Sequence, residues 1–209
     1  MANLKIAVLI SGRGSNLEAI FKECSKKSVP AKIIAVISNK PKASGLKLKG
    51  KFKRKIIDDK KHNKKKFEIE LNNYLRKIKP DLICLAGFMK ILSPFIIRKW
   101  KNKLINVHPS LLPSFKGLNT HKRVLSQGVK ISGCTIHFVN ESLDGGLIIA
   151  QCATIVKQNM TENKLQEKIL KMEHEIYPKV ITMFARKKIV LKNNKVIIKT
   201  KKTINKLFD

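Results

Sequence analysis

Short aliphatic runs alternate with segments of helical spacing along most of the chain. The aliphatic runs are typical of buried strands, and they cover Lys5–Ile10, Ile33–Ile37, Lys55–Ile57, Asp81–Ala86, Leu104–Val107, Ser132–Val139 and Leu147–Val156. Between them, apolar residues recur at intervals that predict helices over Asn16–Lys27, Asn63–Lys79, Pro94–Trp100 and Thr161–Lys187. Pro178 lies inside the last of these segments and predicts a bend or an interruption there. Asn193-Asn194, between Lys188–Lys192 and Lys195–Lys199, predicts a hairpin.

This alternation of strands and helices predicts an α/β fold with a mostly parallel, twisted sheet and helices on both faces. The length of 209 residues fits a single domain over residues 1–209. Ligands of such sheets bind beyond the carboxyl ends of the strands, and we therefore expect the functional residues at those ends.

Composition narrows the class of protein. Hydrophobic residues make up 43% of the chain, which excludes a disordered protein. No apolar run reaches the roughly 18 residues of a membrane helix, and the N-terminal run lacks the pattern of a signal peptide. The four cysteines form no C-x-x-C pair, which argues against a zinc site or a disulfide scaffold. We expect a reduced, cytoplasmic protein.

The charge balance is strongly basic, with 45 Lys and Arg against 14 Asp and Glu and a net charge of +31. Lysines are spread along the whole chain and are densest in 47–66 and 187–206, while Arg and aromatic residues are few. This distribution favours a solvated basic surface over a nucleic-acid interface. A positive field of this kind would steer small anionic substrates towards a site.

Four segments carry candidate chemistry. The first, Ser11–Asn16, joins a predicted strand to a predicted helix and contains two glycines. Its backbone N–H groups suit a phosphate, and Ser15 and Asn16 could bind that phosphate or cap the helix. The alternative is a plain glycine turn with a helix cap. The loop matches neither a dinucleotide fingerprint nor a P-loop.

The second segment, Asn106–Ser110, ends a predicted strand. Asn106 and His108 would project to one face, where an amide and an imidazole could polarise a carbonyl while a proton moves. The alternative is a structural histidine at a proline turn. The third segment, Asn140–Gly146, is a polar loop in which Asp144 could orient a histidine, although an ordinary Asp-Gly turn would look the same.

The fourth segment, 86–94, is apolar and could wall a pocket for a flat ring, or could simply connect a strand to a helix. Three further histidines are ambiguous. We interpret His137 as a core or surface strand residue and His174 as structural, and His121 as either lining the site or solvated.

These features occur together as ISGRGSNL (10–17), LAGFMKILSP (85–94), INVHPSLLPSFKGLNTH (105–121), GCTIHFVNESLDGG (133–146) and EHEIYP (173–178). In this combination and order the chain resembles the phosphoribosylglycinamide formyltransferase family, the folate-dependent transformylases of purine synthesis. The resemblance spans nearly the whole chain. It implies one formyltransferase domain with a Rossmann-like ribonucleotide-phosphate half over about 1–100 and a catalytic, folate-facing half over about 101–209.

The resemblance also implies roles for individual residues. The catalytic residues would be Asn106, His108 and Asp144. The ribonucleotide would be bound by Gly14, Ser15, Asn16, Leu170, Lys171, Met172 and Glu173. The folate would be bound by Lys64, Met89, Lys90, Ile91, Leu92, Asn106, Asn140, Glu141, Ser142, Leu143 and Asp144. Relatives commonly carry Arg near Lys64, and Lys supplies the charge without the planar fork of Arg.

The implied reaction is direct formyl transfer from 10-formyltetrahydrofolate, the co-substrate, to the amine of 5′-phosphoribosylglycinamide. Asn106 and His108 would stabilise the oxyanion, and Asp144 would tune His108. No metal is implied. The expected partners are these small molecules, with no membrane or nucleic acid, and the chain would be a monomer or a homodimer.

Three alternatives remain open. Methionyl-tRNA formyltransferase would suit the positive charge, but that family carries a second domain for which we expect no room before Asp209. Formyltetrahydrofolate deformylase shares the three catalytic residues and normally carries an extra N-terminal domain, which we do not expect before the first strand. A basic nucleic-acid-binding module would leave Asn106, His108 and Asp144 without a role.

Overall fold

Two compact units make up the protein, Met1–Asn106 and Val107–Asp209. The computed structural model describes residues 3–199, so residues 200–206 of the second lysine-rich stretch lie outside the described residues. The prediction of one domain over residues 1–209 stays a prediction.

The first unit is built on parallel strands. They are β1 (Leu4–Ile10), β2 (Ala31–Ser38), β3 (Lys53–Ile56), β4 (Leu82–Leu85) and β5 (Leu104–His108), whose last two residues belong to the second unit. Their order is β3-β2-β1-β4-β5, and all neighbouring pairs are parallel. The order reverses between β1 and β4, and doubly wound sheets bind their ligands at the carboxyl ends of the strands on either side of such a reversal.

Three helices and one 3-10 turn connect these strands: α1 (Ser15–Cys24), the turn Ser44–Lys47, α2 (Lys64–Ile78) and α3 (Pro94–Lys99). α2 buries Phe67, Leu71 and Leu75, which recur every fourth residue and so share one face of the helix. Burial of this stripe explains why a segment with so many lysines still folds as a helix.

The second unit consists of α4 (Thr120–Ser126), β6 (Ile131–Phe138), β7 (Ile148–Ile155), α5 (Glu162–Ala185), β8 (Ile189–Lys192) and β9 (Lys195–Ile198). β6 and β7 are antiparallel, with a register shift between Ile136 and His137. α5 packs against both of these strands. Within residues 3–199, no helix has the length and hydropathy needed to cross a bilayer.

The predicted α/β class with a mostly parallel sheet is confirmed. The terminal hairpin is also confirmed, because Asn193 and Asn194 adopt the positive φ angles of 49° and 55° that a two-residue turn requires. Of the two outcomes predicted at Pro178, the interruption is wrong, since α5 continues through it, and the bend stays a prediction. Pro178 is buried next to Tyr177, and the burial of this part of α5 offsets the missing backbone donor.

Candidate active site

The carboxyl end of β5 carries two polar side chains. Asn106 and His108 are two residues apart, and side chains two apart on a strand point to the same face. Asn106 is half-buried, whereas His108 is only 5% exposed. An amide and a nearly buried imidazole therefore stand side by side at the end of this strand.

Both ring nitrogens of His108 face oxygen acceptors. Nδ1 lies 3.3 Å from Oδ2 of Asp144, whose side chain is 11% exposed, and Nε2 lies 2.8 Å from the carbonyl oxygen of Phe115. A doubly protonated imidazole donates from both nitrogens, so the two acceptors match the imidazolium form of the ring. The arrangement can hold a positively charged hydrogen-bond donor in a fixed orientation.

The carbonyl that faces His108 belongs to an unusual backbone position. Phe115 has a φ of 56°, which a bulky residue rarely adopts. The turn is held by a hydrogen bond of 2.6 Å from the Ser110 hydroxyl to the Ser114 carbonyl. The Arg123 guanidinium also lies 5.7 Å from the centroid of the Phe115 ring. These contacts keep the Phe115 carbonyl directed at the imidazole.

Asp144 is oriented by the backbone around it. The Gly117 N–H donates to Oδ2 of Asp144 over 2.9 Å, and Asp144 itself has a φ of 47°, which Asp tolerates better than most residues. The loop is closed by its own hydrogen bonds, from the Asn140 amide to the Gly145 carbonyl and from the Ser142 N–H to the Asn140 amide oxygen, each 3.1 Å long. The carboxylate thus points inward while residues 140–143 are exposed.

A second histidine faces the same carboxylate. His137 is 2% exposed, and its Nε2 lies 3.8 Å from Oδ1 of Asp144. Its Nδ1 is 2.8 Å from the Phe138 carbonyl and therefore carries the proton of the neutral ring. Burial lowers the pKa of His137 below its usual value, so the ring is neutral at neutral pH.

The glycine loop after β1 leads directly into α1. Gly14 has a φ of 78° and is the N-cap, so of the two alternatives for Ser15 and Asn16 the helix cap is wrong. A Cβ on Gly14 would lie 2.7 Å from Cα of Gly45, which leaves room only for glycine. The first intrahelical bond runs from the Glu18 N–H to the Gly14 carbonyl, so the Ser15 N–H has no carbonyl acceptor within the helix. A backbone donor at this helix end suits an anion.

The segment that follows β4 combines exposed apolar side chains with a fixed backbone. Met89 and Ile91 are 74% and 68% exposed, whereas Leu92 is 6% exposed and anchors the segment. The Lys90 ammonium lies 4.9 Å from the centroid of the Phe67 ring, which ties the segment to α2. Exposed apolar side chains on a held backbone are suited to contact a flat ring.

Lys64 is exposed in the first turn of α2. Phe67 and Glu68, three and four residues further on, contact Lys90 and Ser93 respectively. Residues at these spacings share a helix face, so Lys64 lies on the face of α2 that contacts this segment.

α5 carries the last predicted set of site residues. Glu173 is 7% exposed. Leu170 and Met172 are half-buried, and Lys171 is exposed. A nearly buried carboxylate on a helix is unusual enough to suggest a polar partner or ligand.

The structure thus brings Asp144 next to His108, in agreement with the prediction that Asp144 orients a histidine. It adds His137, Phe115 and Gly117, which the sequence analysis did not place in the site. His121 lies half-buried on α4 and not fully in solvent. Within the described residues, no group of three or more His, Cys, Asp or Glu side chains could hold a metal ion.

Comparison with known proteins identifies the family. A family model described as formyl transferase matches residues 4–181. The phosphoribosylglycinamide formyltransferase of Haemophilus influenzae is 40% identical over 198 residues, which cover 91% of each chain. The solved structure of phosphoribosylglycinamide formyltransferase from Anaplasma phagocytophilum superposes with a TM-score of 0.89 at 41% identity and covers 96% of both chains. The chain belongs to the formyl transferase family, and the resemblance inferred from the sequence is confirmed.

A longer relative matches as well. The trifunctional purine biosynthetic protein adenosine-3 of Gallus gallus is 43% identical over 185 residues. The match covers 87% of this chain and 18% of that protein, so the chain spans less than a fifth of the length of this relative.

Proposed function

We propose that the chain transfers the formyl group of 10-formyltetrahydrofolate to the amine of 5′-phosphoribosylglycinamide. The products are formylglycinamide ribonucleotide and tetrahydrofolate, within the de novo synthesis of the purine nucleotide IMP. The observation that carries this proposal is the enclosed His108–Asp144 pair next to Asn106, in a chain of the formyl transferase family.

The chemistry follows from the donors at the end of β5. The substrate amine attacks the formyl carbon, a C–N bond forms, and the carbonyl oxygen takes up negative charge. The Asn106 amide donates to this oxyanion. Nε2 of His108 exchanges the neutral Phe115 carbonyl for the oxyanion, while Nδ1 stays on Asp144.

Proton movement completes the transfer. The attacking nitrogen loses a proton as the bond between the carbon and N10 of the folate breaks, and N10 gains a proton. Asp144 keeps His108 in its donating form and helps to move the proton from the amine. No covalent bond to the protein forms at any step.

The substrates are bound by the remaining predicted residues. Gly14, Ser15 and Asn16 hold the ribonucleotide phosphate at the start of α1, and Glu173, with 170–172 beside it, holds the ribose or glycinamide part. For the folate, residues 89–92 and 140–144 contact the pterin, and Lys64 supplies positive charge. The net charge of +31 attracts both anionic substrates.

The test is formyl transfer followed by folate absorbance, with and without the ribonucleotide. We expect turnover only when the ribonucleotide is present. Folate deformylation that ignores the ribonucleotide would instead identify a hydrolase with the same three residues, and activity only on charged initiator tRNA would identify a tRNA formyltransferase.

A variant pair then assigns the turnover to the site. His108→Ala removes the cationic donor, so kcat should fall by on the order of 10²–10⁴-fold while the fold survives. His62→Ala is the matched control, because His62 lies at the surface beside Glu70. Wild-type kcat in His108→Ala would contradict the proposed roles.

A further inference from the structure

The segment between β4 and α3 is held at two points by hydrogen bonds from its backbone. The Met89 N–H donates to the Ser11 hydroxyl oxygen over 2.8 Å, and the Ser93 N–H donates to Oε1 of Glu68 over 2.7 Å. The Glu68 anchor supports the start of α3. The Ser11 anchor is different, because it holds the exposed part of the segment, where the proposed function places the pterin.

Ser11 contacts this segment twice. Its own N–H donates to the Gly87 carbonyl over 3.1 Å, in addition to the bond that its hydroxyl accepts from Met89. Ser11 follows β1 directly, and Gly87 lies just beyond β4. The two bonds therefore connect the loop after β1 to the loop after β4. These loops lie at the reversal of strand order, where doubly wound sheets bind their ligands.

The side chains behind Ser11 determine the direction of each hydrogen bond. Oδ2 of Asp59 lies 2.7 Å from Nδ2 of Asn39, and a carboxylate accepts only, so the Asn39 amide must present its nitrogen to Asp59. The amide oxygen then faces Ser11, whose hydroxyl donates to it over 2.6 Å. With its proton committed to Asn39, the Ser11 oxygen directs its lone pairs elsewhere, and the Met89 N–H uses one of them.

The far end of this chain of bonds is charged. Oδ1 of Asp59 accepts from the Lys40 ammonium over 2.9 Å. Burial alone would raise the pKa of Asp59, but the hydrogen bonds from Lys40 and Asn39 lower it below its usual value. Asp59 is therefore ionised at neutral pH. Asn39, which is 1% exposed, is held between this carboxylate and Ser11.

We propose that Ser11 is a positioning residue for the folate, fixing the backbone of Met89 through hydrogen bonds that Asn39 and Asp59 orient. This inference rests on the proposed function, which assigns residues 89–92 to the pterin. Ser11 also opens the loop that leads to Gly14 and Ser15. Ser11 is thus continuous with the phosphate loop, while its hydroxyl bonds to Met89 and to Asn39.

The test compares Ser11→Ala and Ser11→Thr with the wild-type chain. Two quantities are measured. The first is the exchange rate of the Met89 amide hydrogen, with and without bound folate. The second is the Kd for 5-formyltetrahydrofolate, by calorimetry. We expect Ser11→Ala to speed exchange and raise the Kd about tenfold each, the effect of one lost hydrogen bond. Ser11→Thr keeps a hydroxyl and should restore both. The KM for the ribonucleotide should stay within about twofold of wild type.

Ser25→Ala is the matched control. Ser25 lies at the end of α1, and its hydroxyl donates to the Phe21 carbonyl over 2.8 Å, outside the hydrogen bonds that orient Ser11. Loss of this hydroxyl should leave Met89 exchange and folate Kd unchanged. Wild-type values for both in Ser11→Ala, or equal changes in Ser25→Ala, would overturn the proposal. Folate binding that follows these expectations in a protein without formyl transfer would support the positioning role and overturn the proposed function.

Discussion

Cys134 and Cys152 lie directly opposite each other on β6 and β7. A hydrogen bond from the Cys134 thiol lowers the pKa of Cys152 to about 7, with a further contribution from Lys179 that acts against desolvation. Burial, by contrast, raises the pKa of Cys24 to about 12. Cys24 and Cys152 are both half-buried, yet they differ in how much nucleophilic thiolate they hold at neutral pH.

Alkylation should separate these two thiols. We expect Cys152 to react with iodoacetamide with a half-maximal rate near pH 7, and Cys24 to react only in strongly alkaline solution. Cys134→Ala removes the hydrogen bond and should move the Cys152 midpoint towards the ordinary thiol value of about 8.5. Peptide mass spectrometry after timed alkylation checks this. An unchanged midpoint in Cys134→Ala would mean that Cys134 does not stabilise the thiolate.

At the same scale, residue type and position marked the candidate side chains but left a structural histidine and an ordinary turn open, and the family resemblance implied their catalytic roles. Asn106, His108 and Asp144 stand out because an amide, an imidazole and a carboxylate follow predicted strands. The Phe115 carbonyl and the Gly117 N–H could not be found in this way. Every residue carries such backbone groups, and only the tertiary fold selects which of them meet a side chain.

Among the elements, α2 begins with an unfavourable charge pattern. Lys64, Lys65 and Lys66 occupy its first turn, where the positive end of the helix dipole repels cations. Asn63 counteracts this as the N-cap, because its side-chain oxygen accepts the Lys66 N–H over 2.9 Å. The start of this helix thus depends on one cap and on the buried stripe that follows it.

Asn63→Ala should therefore lower the free energy of unfolding by about 1 kcal/mol, the usual cost of losing such a cap. Asn73→Ala is the matched control, because Asn73 is exposed within the same helix. Because alanine is the better helix former at this position, the free energy of unfolding should rise by roughly 0.5 kcal/mol. Urea denaturation of both variants measures the difference. Equal effects would show that Asn63 contributes nothing as a cap.

Short elements explain most of what the pattern of apolar residues did not predict. The turn Ser44–Lys47 has only four residues, too few for a helical repeat to emerge. α4 buries only Thr120 and Val124, so its apolar signal is also weak. The longer strands and helices were predicted because many buried positions contribute to each pattern.

At the scale of the whole molecule, the fold class was predictable because it depends on the alternation of strands and helices along the whole chain, and an error in one short element does not change it. The resemblance implied two halves that meet near residue 100, but composition alone marks no boundary, because the division between Asn106 and Val107 falls inside β5 and has no linker. The charge of +31 is likewise a property of the whole chain. This charge creates a positive potential over the folded protein, so each group that gains a proton adds to the repulsion within it.

Stability should fall in mild acid. Burial lowers the pKa of His121 and His137 below the ordinary value of 6.5, so below about pH 6.5 the unfolded chain binds more protons than the folded one. The stabilisation from keeping the two histidines neutral is complete above about pH 6.5. It is lost as the pH falls through their pKa values in the folded protein. We expect urea denaturation to give a lower free energy of unfolding at pH 5.5 than at pH 7.5, by up to about 1.4 kcal/mol per histidine and pH unit.

His137→Asn keeps a donor for the Phe138 carbonyl but cannot titrate. This variant should lose less stability between the two pH values than the wild-type chain does, whatever its absolute stability. An equal loss would assign the acid sensitivity to other groups.

The close approach of Gly14 and Gly45 has a consequence for engineering. A designer who grafts the phosphate loop onto another parallel sheet would copy residues 11–16, which look self-sufficient in the sequence. The graft would be strained wherever the host residue facing Gly14 carries a side chain, because a Cβ at Gly45 would lie 3.0 Å from Cα of Gly14. The transferable unit is a loop together with a distant glycine, and a library that varies the loop alone would miss it.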